Sequence, residues 1–292
     1  MDISVALGGG GAKGNSHIGV LRLLEKEGYR IRAVAGTSFG GVVAAVYAAG
    51  NRPDEVEEIF CRVDQRKLYS RGPKGRPSIL GLDGVAQWLQ ETLGDRTFQD
   101  LKVPCAMTAV DLIGGQEVTL SEGLVRDAVL ATIALPGIFP SFEANGWELV
   151  DGGVVNPVPV SVARSLAPGL PVVAVTLTQS LGEPPHKWKM PMPTLVPRVV
   201  AERVSRMNIA QSLDVYMRAV EIGSRALAEY RLRADQPEVL VRPDVGHIDL
   251  LEVVDPRYVA KLGEDAMAAA LPDLRRAVSW QARFGRFLGG RK

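Results

Sequence analysis

Two glycine-rich turns that each join an apolar strand to a helix constrain this chain more than any other feature. The first lies between a strand at 3–7 and a helix at 18–27, and the second between a strand at 31–35 and a helix at 41–49. Two consecutive strand–turn–helix units are typical of a parallel sheet with helices on both faces. We therefore expect an α/β fold with a parallel or mixed central sheet sandwiched by helices.

The second turn reads Gly36-Thr37-Ser38-Phe39-Gly40 and matches the pattern G-x-S-x-G. Its glycines allow a turn too tight for larger side chains, so that Ser38 projects at the first turn of the helix. The helix dipole there favours the alkoxide that forms when a serine attacks a carbonyl carbon. Ser38 is the candidate nucleophile, and the alternative is a turn that only packs a strand on a helix.

The first turn holds four successive glycines, Gly8–Gly11, followed by Lys13 and Gly14. Their bare amides, next to a helix N-terminus, form a concavity suited to an anion. The phosphate-binding pattern G-x-x-x-x-G-K-[ST] fails, because Gly14 follows Lys13. The dinucleotide fingerprint G-x-G-x-x-G fits from Gly9 to Gly14, but the second strand lacks the terminal acidic residue that holds a ribose hydroxyl. The oxyanion of a tetrahedral acyl intermediate remains as the candidate anion.

A carboxylate follows a later strand, where residues 147–150 lead into Asp151-Gly152-Gly153. A carboxylate at a strand end between small residues can approach another backbone closely and accept the serine proton. Asp151 is therefore the candidate base. The alternative is an ordinary Asp-Gly turn.

Histidine is the usual acceptor of a serine proton, and the chain has three: His17, His186 and His247. The order Ser38, Asp151, His247 is that of the α/β-hydrolases. In that fold the nucleophile follows several strands, whereas Ser38 follows the second. His247 lies in a stretch typical of a surface turn, and His17 lies beside the first turn, where it helps to hold the loop. We interpret all three as non-catalytic.

Four motifs, in this order, resemble those of the patatin-like phospholipases, and together they span residues 3 to about 180. They are residues 8–21, the G-x-S-x-G turn, residues 135–140 and Asp-Gly-Gly at 151–153. The resemblance implies a patatin-like three-layer architecture and a Ser38–Asp151 catalytic dyad. It also implies the hydrolysis of acyl ester bonds in lipids, a mechanism that needs no cofactor and no metal.

The same resemblance assigns further site residues. It implies an oxyanion hole from the amides of Gly9, Gly10 and Gly11. Supporting residues of the motifs are Lys13, Gly14, Gly36, Gly40, Gly152 and Gly153, and candidates for the acyl-chain wall are Phe39, Ile138 and Phe139. Two positions depart from the family pattern: Lys13 stands where many relatives carry arginine, and Gly153 stands where alanine is frequent.

Two other functions fit parts of the pattern. A nucleotide-binding protein would use the glycine-rich turn for pyrophosphate. A catalytically silent scaffold of the same fold would bind lipid or partner proteins without turnover, although the presence of both Ser38 and Asp151 argues against it.

The composition is that of an ordinary globular protein, with 292 residues, 46% hydrophobic residues and a net charge of +1. This charge gives no general attraction to nucleic acid. The first residues match neither a signal peptide nor a spanning helix, so we expect a cytoplasmic protein. The family resemblance implies that its binding partner is a lipid or ester substrate. Cys61, Cys105 and the three histidines show no zinc-ligand spacing and no disulfide framework.

The sequence divides into two predicted parts. Residues 1–180 are expected to form a patatin-like catalytic core, and residues 181–292 a C-terminal helical extension that packs on or caps the same domain. Within the core the pattern predicts a helix at 83–93 capped by Asp83, and a basic loop at 66–77 without regular structure that forms either a flap or a solvated surface loop. The other predicted elements are helices from 54, at 125–134 and at 198–231, and strands at 104–110, 116–120, 172–177 and 239–241.

Two C-terminal segments could contact a membrane. The proline-broken segment 184–193 carries Trp and Met and suits either a lid or membrane-touching loop or a wedge in the core. The chain end from Trp280 has apolar residues at helical spacing with basic flanks, which suits an interfacial helix or a helix docked on its own domain.

Overall fold

A mixed β-sheet with helices on both faces forms the centre of the protein, as seen in a computed structural model that describes residues 1–71, 78–144, 146–179 and 208–279. The strands are β1 (Asp2–Leu7), β2 (Arg30–Thr37), β3 (Ser70–Arg71), β4 (Leu80–Gly81), β5 (Cys105–Asp111), β6 (Gln116–Leu120), β7 (Phe142–Ala144), β8 (Trp147–Asp151), β9 (Val172–Val175) and β10 (Val239–Val241). The helices are α1 (Ser16–Lys26), α2 (Phe39–Ala48), α3 (Pro53–Arg62), α4 (Asp83–Leu93), α5 (Val125–Thr132), α6 (Val160–Leu166), α7 (Asn208–Asp235) and α8 (Pro256–Ala277).

The main sheet has a parallel half and an antiparallel half. Strands β10, β9, β1, β2 and β5 lie side by side and parallel. Strands β6 and β8 both pair antiparallel with β5, and β7 pairs antiparallel with β8. Strands β3 and β4 form a separate two-stranded ladder. The expected mixed sheet is confirmed.

Two hydrophobic layers cover the two faces of this sheet. Alternate residues of β1 point to opposite faces, so that Val5 joins the large cluster with α1 to α5 and α8. Ala6 joins the smaller cluster on the other face with α6 and with Leu232 of α7. The sheet is therefore the middle of three layers, as the sequence led us to expect.

The C-terminal part of the chain is built into this sandwich. Strand β10 extends the sheet beyond β9. Helix α8 was not predicted from the sequence, and it packs against α1. A Cβ at Gly19 would overlap the Ala260 carbonyl, and a Cβ at Gly263 would overlap the Ser16 carbonyl. These two glycines let the helix backbones touch. The Asp255 side chain begins α8 by accepting the Arg257 N–H, with Pro256 at the first helical position.

Two expectations for the region before α4 were wrong. Asp83 is the first residue of the helix and does not cap it; its carboxylate instead accepts the Ser70 hydroxyl at 2.7 Å. The basic segment is not wholly irregular, since Gln65–Lys67 is a 3-10 helix and Ser70–Arg71 pairs with Leu80–Gly81. That pairing is anchored from the β4 side, where the Leu80 N–H donates to the Ile138 carbonyl at 2.9 Å.

Several predicted segments lie outside the described residues. These are residues 72–77 of the basic loop, the proline-broken segment 184–193, the start of the long helix at 198–207, and the chain end from 280. Among the helices that the structure does describe, none combines the length and the apolar character that a membrane crossing requires.

Candidate active site

Ser38 occupies a sharp turn between β2 and α2. Its backbone has φ 53° and ψ −128°, a region that residues other than glycine rarely adopt. The turn is possible because its neighbours are small: a Cβ at Gly36 would lie 2.5 Å from the Gly40 carbonyl carbon, and a Cβ at Gly40 would overlap the Leu7 carbonyl. The glycines of the G-x-S-x-G motif therefore meet direct steric demands, and the strained backbone projects the serine side chain.

Strand β5 brings Ser38 and Asp151 together. Thr108 pairs with both Thr37 of β2 and Thr119 of β6, while Ala109 pairs with both Asp151 of β8 and Val118 of β6. Because β6 occupies one edge of β5, β2 and β8 must share the other edge. The C-terminal ends of β2 and β8 thus meet head to head at adjacent residues of β5.

The two candidate residues line one cavity, and the Ser38 hydroxyl acts on the Asp151 carboxylate as a donor that lowers its pKa. Asp151 is only 4% exposed, and its carboxylate also accepts the Gly153 N–H at 2.7 Å. Burial raises the pKa of Asp151 to about 6, although both hydrogen bonds act in the opposite direction. A carboxylate with this pKa is ionised at neutral pH and is a stronger base than an exposed aspartate.

Gly152 and Gly153 follow Asp151 in a single 3-10 turn, Gly152–Val154. A Cβ at Gly152 would overlap the side chain of Thr108, so this glycine lets the turn lie directly on β5. A Cβ at Gly153 would lie 3.0 Å from Oδ1 of Asp151. Gly152 thus allows the turn to pack on β5, and Gly153 leaves room for the carboxylate beside its own N–H group.

The glycine-rich loop lies against Ser38, because a Cβ at Gly9 would come within 3.2 Å of the Ser38 Cβ. The Gly9 N–H, however, donates to the Pro157 carbonyl at 3.0 Å. Among the described residues, the amides of Gly10 and Gly11 have no acceptor. The expected set of three free donors is therefore wrong for Gly9, whose N–H ties the loop to the segment after Asp151, and two free donors remain.

Buried side chains hold this loop from behind. Nε2 of His17 donates to the Gly8 carbonyl at 2.8 Å, as its position next to the loop suggested. Complete burial lowers the pKa of His17 to about 4, so the ring is neutral at pH 7. A Cβ at Gly14 would overlap the ring of Phe39, which explains the small residue there.

His247 is exposed and lies 3.2 Å from the Tyr258 hydroxyl, whereas His186 lies outside the described residues.

A cavity of about 1380 Å³ opens from the candidate dyad. One part of its wall is apolar and includes two aromatic contacts between Phe60 and its neighbours Phe39 and Trp88. Another part carries charge from Lys13, Glu221, Arg225 and Asp249. Burial lowers the pKa of Lys13, although Glu221 counteracts part of this effect.

Two of the three predicted acyl-wall residues line this cavity. Phe39 and Phe139 do so, but Ile138 does not. Ile138 is 1% exposed and packs behind the wall against Leu80, while its carbonyl accepts the N–H groups of Ile79 and Leu80. The side chain therefore supports the wall rather than facing a ligand.

Three buried threonines, Thr37, Thr108 and Thr132, link the two candidate residues. Thr132 accepts the Ser38 N–H at 2.9 Å and donates to the Thr108 carbonyl at 2.6 Å. The Thr37 hydroxyl lies 2.7 Å from the Thr108 hydroxyl and 2.9 Å from the Asn156 carbonyl. Only Thr37 lies within a motif, so no sequence signal distinguished the other two from core residues.

No group of three or more His, Cys, Asp or Glu side chains in the described residues is placed to hold a metal ion. At the candidate dyad the structure brings together a hydroxyl, a buried carboxylate and backbone amides.

Comparisons with known proteins are consistent with this arrangement. A family model described as patatin-like phospholipase matches residues 5–164. An uncharacterized NTE family protein of Mycobacterium tuberculosis is 31% identical over 276 residues, which cover 89% of this chain and 74% of that protein.

Two further relatives are similar over a shorter part. Patatin-like phospholipase domain-containing protein 6 of Homo sapiens is 30% identical over 171 residues, which are 56% of this chain and 12% of that protein. Lysophospholipase NTE1 of Saccharomyces cerevisiae is 28% identical over 177 residues, which are 56% of this chain and 10% of that protein.

Proposed function

The chain belongs to the patatin-like phospholipase family, and from this premise we propose that it is a serine hydrolase that cleaves acyl ester bonds of lipids. The observation that supports this most strongly is that the turn of Ser38 and the buried Asp151 lie at adjacent residues of β5 and line the same cavity. A hydroxyl beside a carboxylate of raised pKa, next to free backbone donors, suits acyl transfer.

The reaction begins with attack of the Ser38 Oγ on the ester carbonyl carbon while Asp151 accepts the hydroxyl proton. The negative charge that develops on the carbonyl oxygen is stabilised by the N–H groups of Gly10 and Gly11. Collapse of this intermediate breaks the ester bond, and the leaving alcohol takes the proton from Asp151. The products of this first half are the free alcohol and an acyl ester of Ser38.

The second half repeats these steps with water. Asp151 accepts a proton from a water molecule, whose oxygen attacks the acyl carbon. The intermediate collapses, and the Ser38 oxygen recovers the proton as the fatty acid leaves. One residue thus acts as base in each addition and as acid in each collapse.

The cavity and one of the relatives support a particular substrate class. The apolar wall near Phe39 and Phe139 suits an acyl chain, and the charged wall near Lys13 suits a polar group. One relative bears the name lysophospholipase. We propose a phospholipid or lysophospholipid as the substrate, with the protein in transient contact with a lipid surface.

Fatty-acid release from phosphatidylcholine and lysophosphatidylcholine, presented as vesicles and as monomers, tests this proposal. We expect release by the wild type and loss of at least about a thousandfold in Ser38→Ala. Ser121→Ala changes an exposed serine outside the cavity and serves as the matched control. Equal release by Ser38→Ala and Ser121→Ala would reject the proposed nucleophile. Calorimetric titration with dinucleotides tests the alternative of a nucleotide-binding protein.

A further inference from the structure

The backbone of Ser38 has an unusual anchor. Its N–H group lies at the start of a helix, where no carbonyl of the preceding turn can accept it. The acceptor is instead the Thr132 hydroxyl at 2.9 Å, which itself donates to the Thr108 carbonyl at 2.6 Å. One hydroxyl therefore connects the strained turn of the nucleophile to strand β5, and it is fully buried.

The same strand fixes the position of the carboxylate. Thr108 contacts the turn that follows Asp151, because a Cβ at Gly152 would overlap the Thr108 side chain. The neighbouring residue Ala109 pairs directly with Asp151. Thr132 thus ties Ser38 to the element that carries Asp151, and the distance between the two side chains depends on this connection.

We propose that Thr132 is a positioning residue for acyl transfer, whose hydroxyl holds the Ser38 peptide so that Oγ stays within hydrogen-bonding reach of Asp151. This inference rests on the proposed function and adds a residue that lies outside its motifs. With the Thr132 bond in place, the Ser38 N–H is occupied, so the oxyanion depends on the amides of Gly10 and Gly11.

The two groups on the Thr132 side chain have separate contacts. The γ-methyl packs against helix α2, where a Cβ at Gly41 would lie 2.8 Å from it. The hydroxyl makes the two hydrogen bonds. Valine keeps a methyl in both positions and removes the hydroxyl, serine keeps the hydroxyl and removes the methyl, and alanine removes both groups.

This separation defines the experiment. The rate of Ser38 labelling by a fluorophosphonate, and kcat and KM for a soluble acyl ester, are measured for the wild type and for Thr132→Val, Thr132→Ser and Thr132→Ala. Loss of the hydroxyl displaces Oγ without changing the acyl cavity, so we expect Thr132→Val to lower kcat and the labelling rate by about 10- to 100-fold at nearly constant KM. We expect Thr132→Ser to stay within about threefold of the wild type, because it restores both hydrogen bonds.

The outcomes separate the inference from the proposed function. If the wild type is labelled at Ser38 and Thr132→Val reacts at the same rate, the role of Thr132 is rejected. Equal impairment of Thr132→Ser and Thr132→Val would also reject it, because the methyl contact would then be responsible. If Thr132→Val does not fold, Thr132→Ala is compared with Thr132→Ser, because these two variants differ only in the hydroxyl. Equal rates for the two would also reject the role of Thr132. Absence of labelling at Ser38 in the wild type would reject the proposed function itself.

Discussion

At the scale of single residues, the proposed chemistry depends on how a buried carboxylate is balanced. Burial raises the pKa of Asp151 to about 6, while hydrogen bonds from Ser38 and the Gly153 N–H favour the charged form. Without those bonds, a carboxylate at this depth would bind its proton more tightly still. In the proposed mechanism this carboxylate, charged at neutral pH, is the base that accepts the hydroxyl proton.

The first prediction concerns the dependence of activity on pH. Asp151 must be ionised to accept a proton, so kcat/KM should rise with pH and level off above a midpoint near 6. Below the midpoint we expect about a tenfold loss for each pH unit. The measurement is the initial rate on a soluble ester between pH 4 and about 9. A midpoint near that of an exposed aspartate would contradict the burial-based account.

The second prediction concerns stability. Because the folded pKa of Asp151 lies above the ordinary value of 3.8, the native state binds this proton more tightly than the unfolded state. The resulting stabilisation is fully present below the unfolded pKa and is lost as pH rises through about 6. As pH rises from acidic to neutral, the wild type loses this stabilisation and Asp151→Asn does not. The free energy of unfolding of Asp151→Asn should therefore rise relative to that of the wild type by on the order of 3 kcal/mol over this range.

Urea unfolding at several pH values measures this difference. Asp244→Asn alters an exposed carboxylate and serves as the matched control, for which we expect no comparable change. A difference in the free energy of unfolding between Asp151→Asn and the wild type that stays constant from acidic to neutral pH would contradict the prediction. The same variant should lose nearly all activity, because an amide cannot accept the serine proton.

The third prediction concerns the oxyanion donors. A Cβ at Gly10 would lie 2.7 Å from Cδ1 of Leu177, so Gly10→Ala must move either that side chain or the loop that carries the free amides. We expect kcat to fall about 100- to 1,000-fold, as when one oxyanion donor is removed. The measurements are the single-turnover rate of acylation and the thermal unfolding midpoint of Gly10→Ala. A lower acylation rate with an unchanged midpoint would show that the variant is impaired in the chemical step and not in folding. Acylation of Gly10→Ala at the wild-type rate would contradict this prediction.

At the scale of elements, strand β5 decides where the chemistry can occur. It offers one edge to both β2 and β8, so the two strands end at its adjacent residues Thr108 and Ala109. The sequence indicated that each candidate residue follows a strand. It could not indicate that both strands use the same edge, because pairing between distant strands leaves no local pattern.

Local patterns account for what the sequence predicted well. The strand–turn–helix units, the apolar strand β9 and the turns at Ser38 and Asp151 carry turn glycines or continuous apolar runs that act over short distances. The errors concern long-range contacts. The Gly9 N–H is bound by Pro157, Ile138 packs behind the cavity wall, and Asp83 bonds to Ser70 instead of capping its helix.

The fourth prediction tests the crossing of α1 and α8. A Cβ at Gly263 would overlap the Ser16 carbonyl, whereas a Cβ at Gly223 of α7 meets nothing within 4 Å. Gly263→Ala should therefore lower the free energy of unfolding by about 2 kcal/mol or more, because the two backbones must separate. Gly223→Ala is the matched control and should raise it by up to about 1 kcal/mol through helix propensity. Urea unfolding of both variants decides, and equal effects would contradict the crossing.

At the scale of the whole molecule, the fold leaves a cavity of about 1380 Å³ that is lined by apolar and charged residues and by Ser38. Its wall includes residues from both the N-terminal motifs and α7, so the C-terminal part of the chain contributes to the proposed substrate site. The predicted division of the chain at residue 180 remains a prediction. The cavity itself was not predictable from the sequence, since its lining residues come from many separate elements.

The fifth prediction uses the apolar wall. Val85 of α4 lines the cavity, and a phenylalanine there would shorten the space for an acyl chain. We expect Val85→Phe to lower kcat/KM for a palmitoyl ester relative to a butyryl ester by about tenfold. Val215→Phe, at a position 60% exposed and outside the cavity lining, is the matched control. An unchanged ratio for Val85→Phe would place the acyl chain elsewhere.

The proposed function depends on activation of Ser38 by Asp151, and covalent trapping measures that activation at the serine itself. The wild type, Ser38→Ala and Asp151→Asn are treated with a fluorophosphonate. Intact-mass spectrometry measures the rate of addition, and peptide mass spectrometry identifies the residue that carries the adduct. We predict one adduct, located on Ser38, that is absent in Ser38→Ala and forms at least about 100-fold more slowly in Asp151→Asn. An adduct on another residue, or wild-type labelling in Asp151→Asn, would contradict the claim.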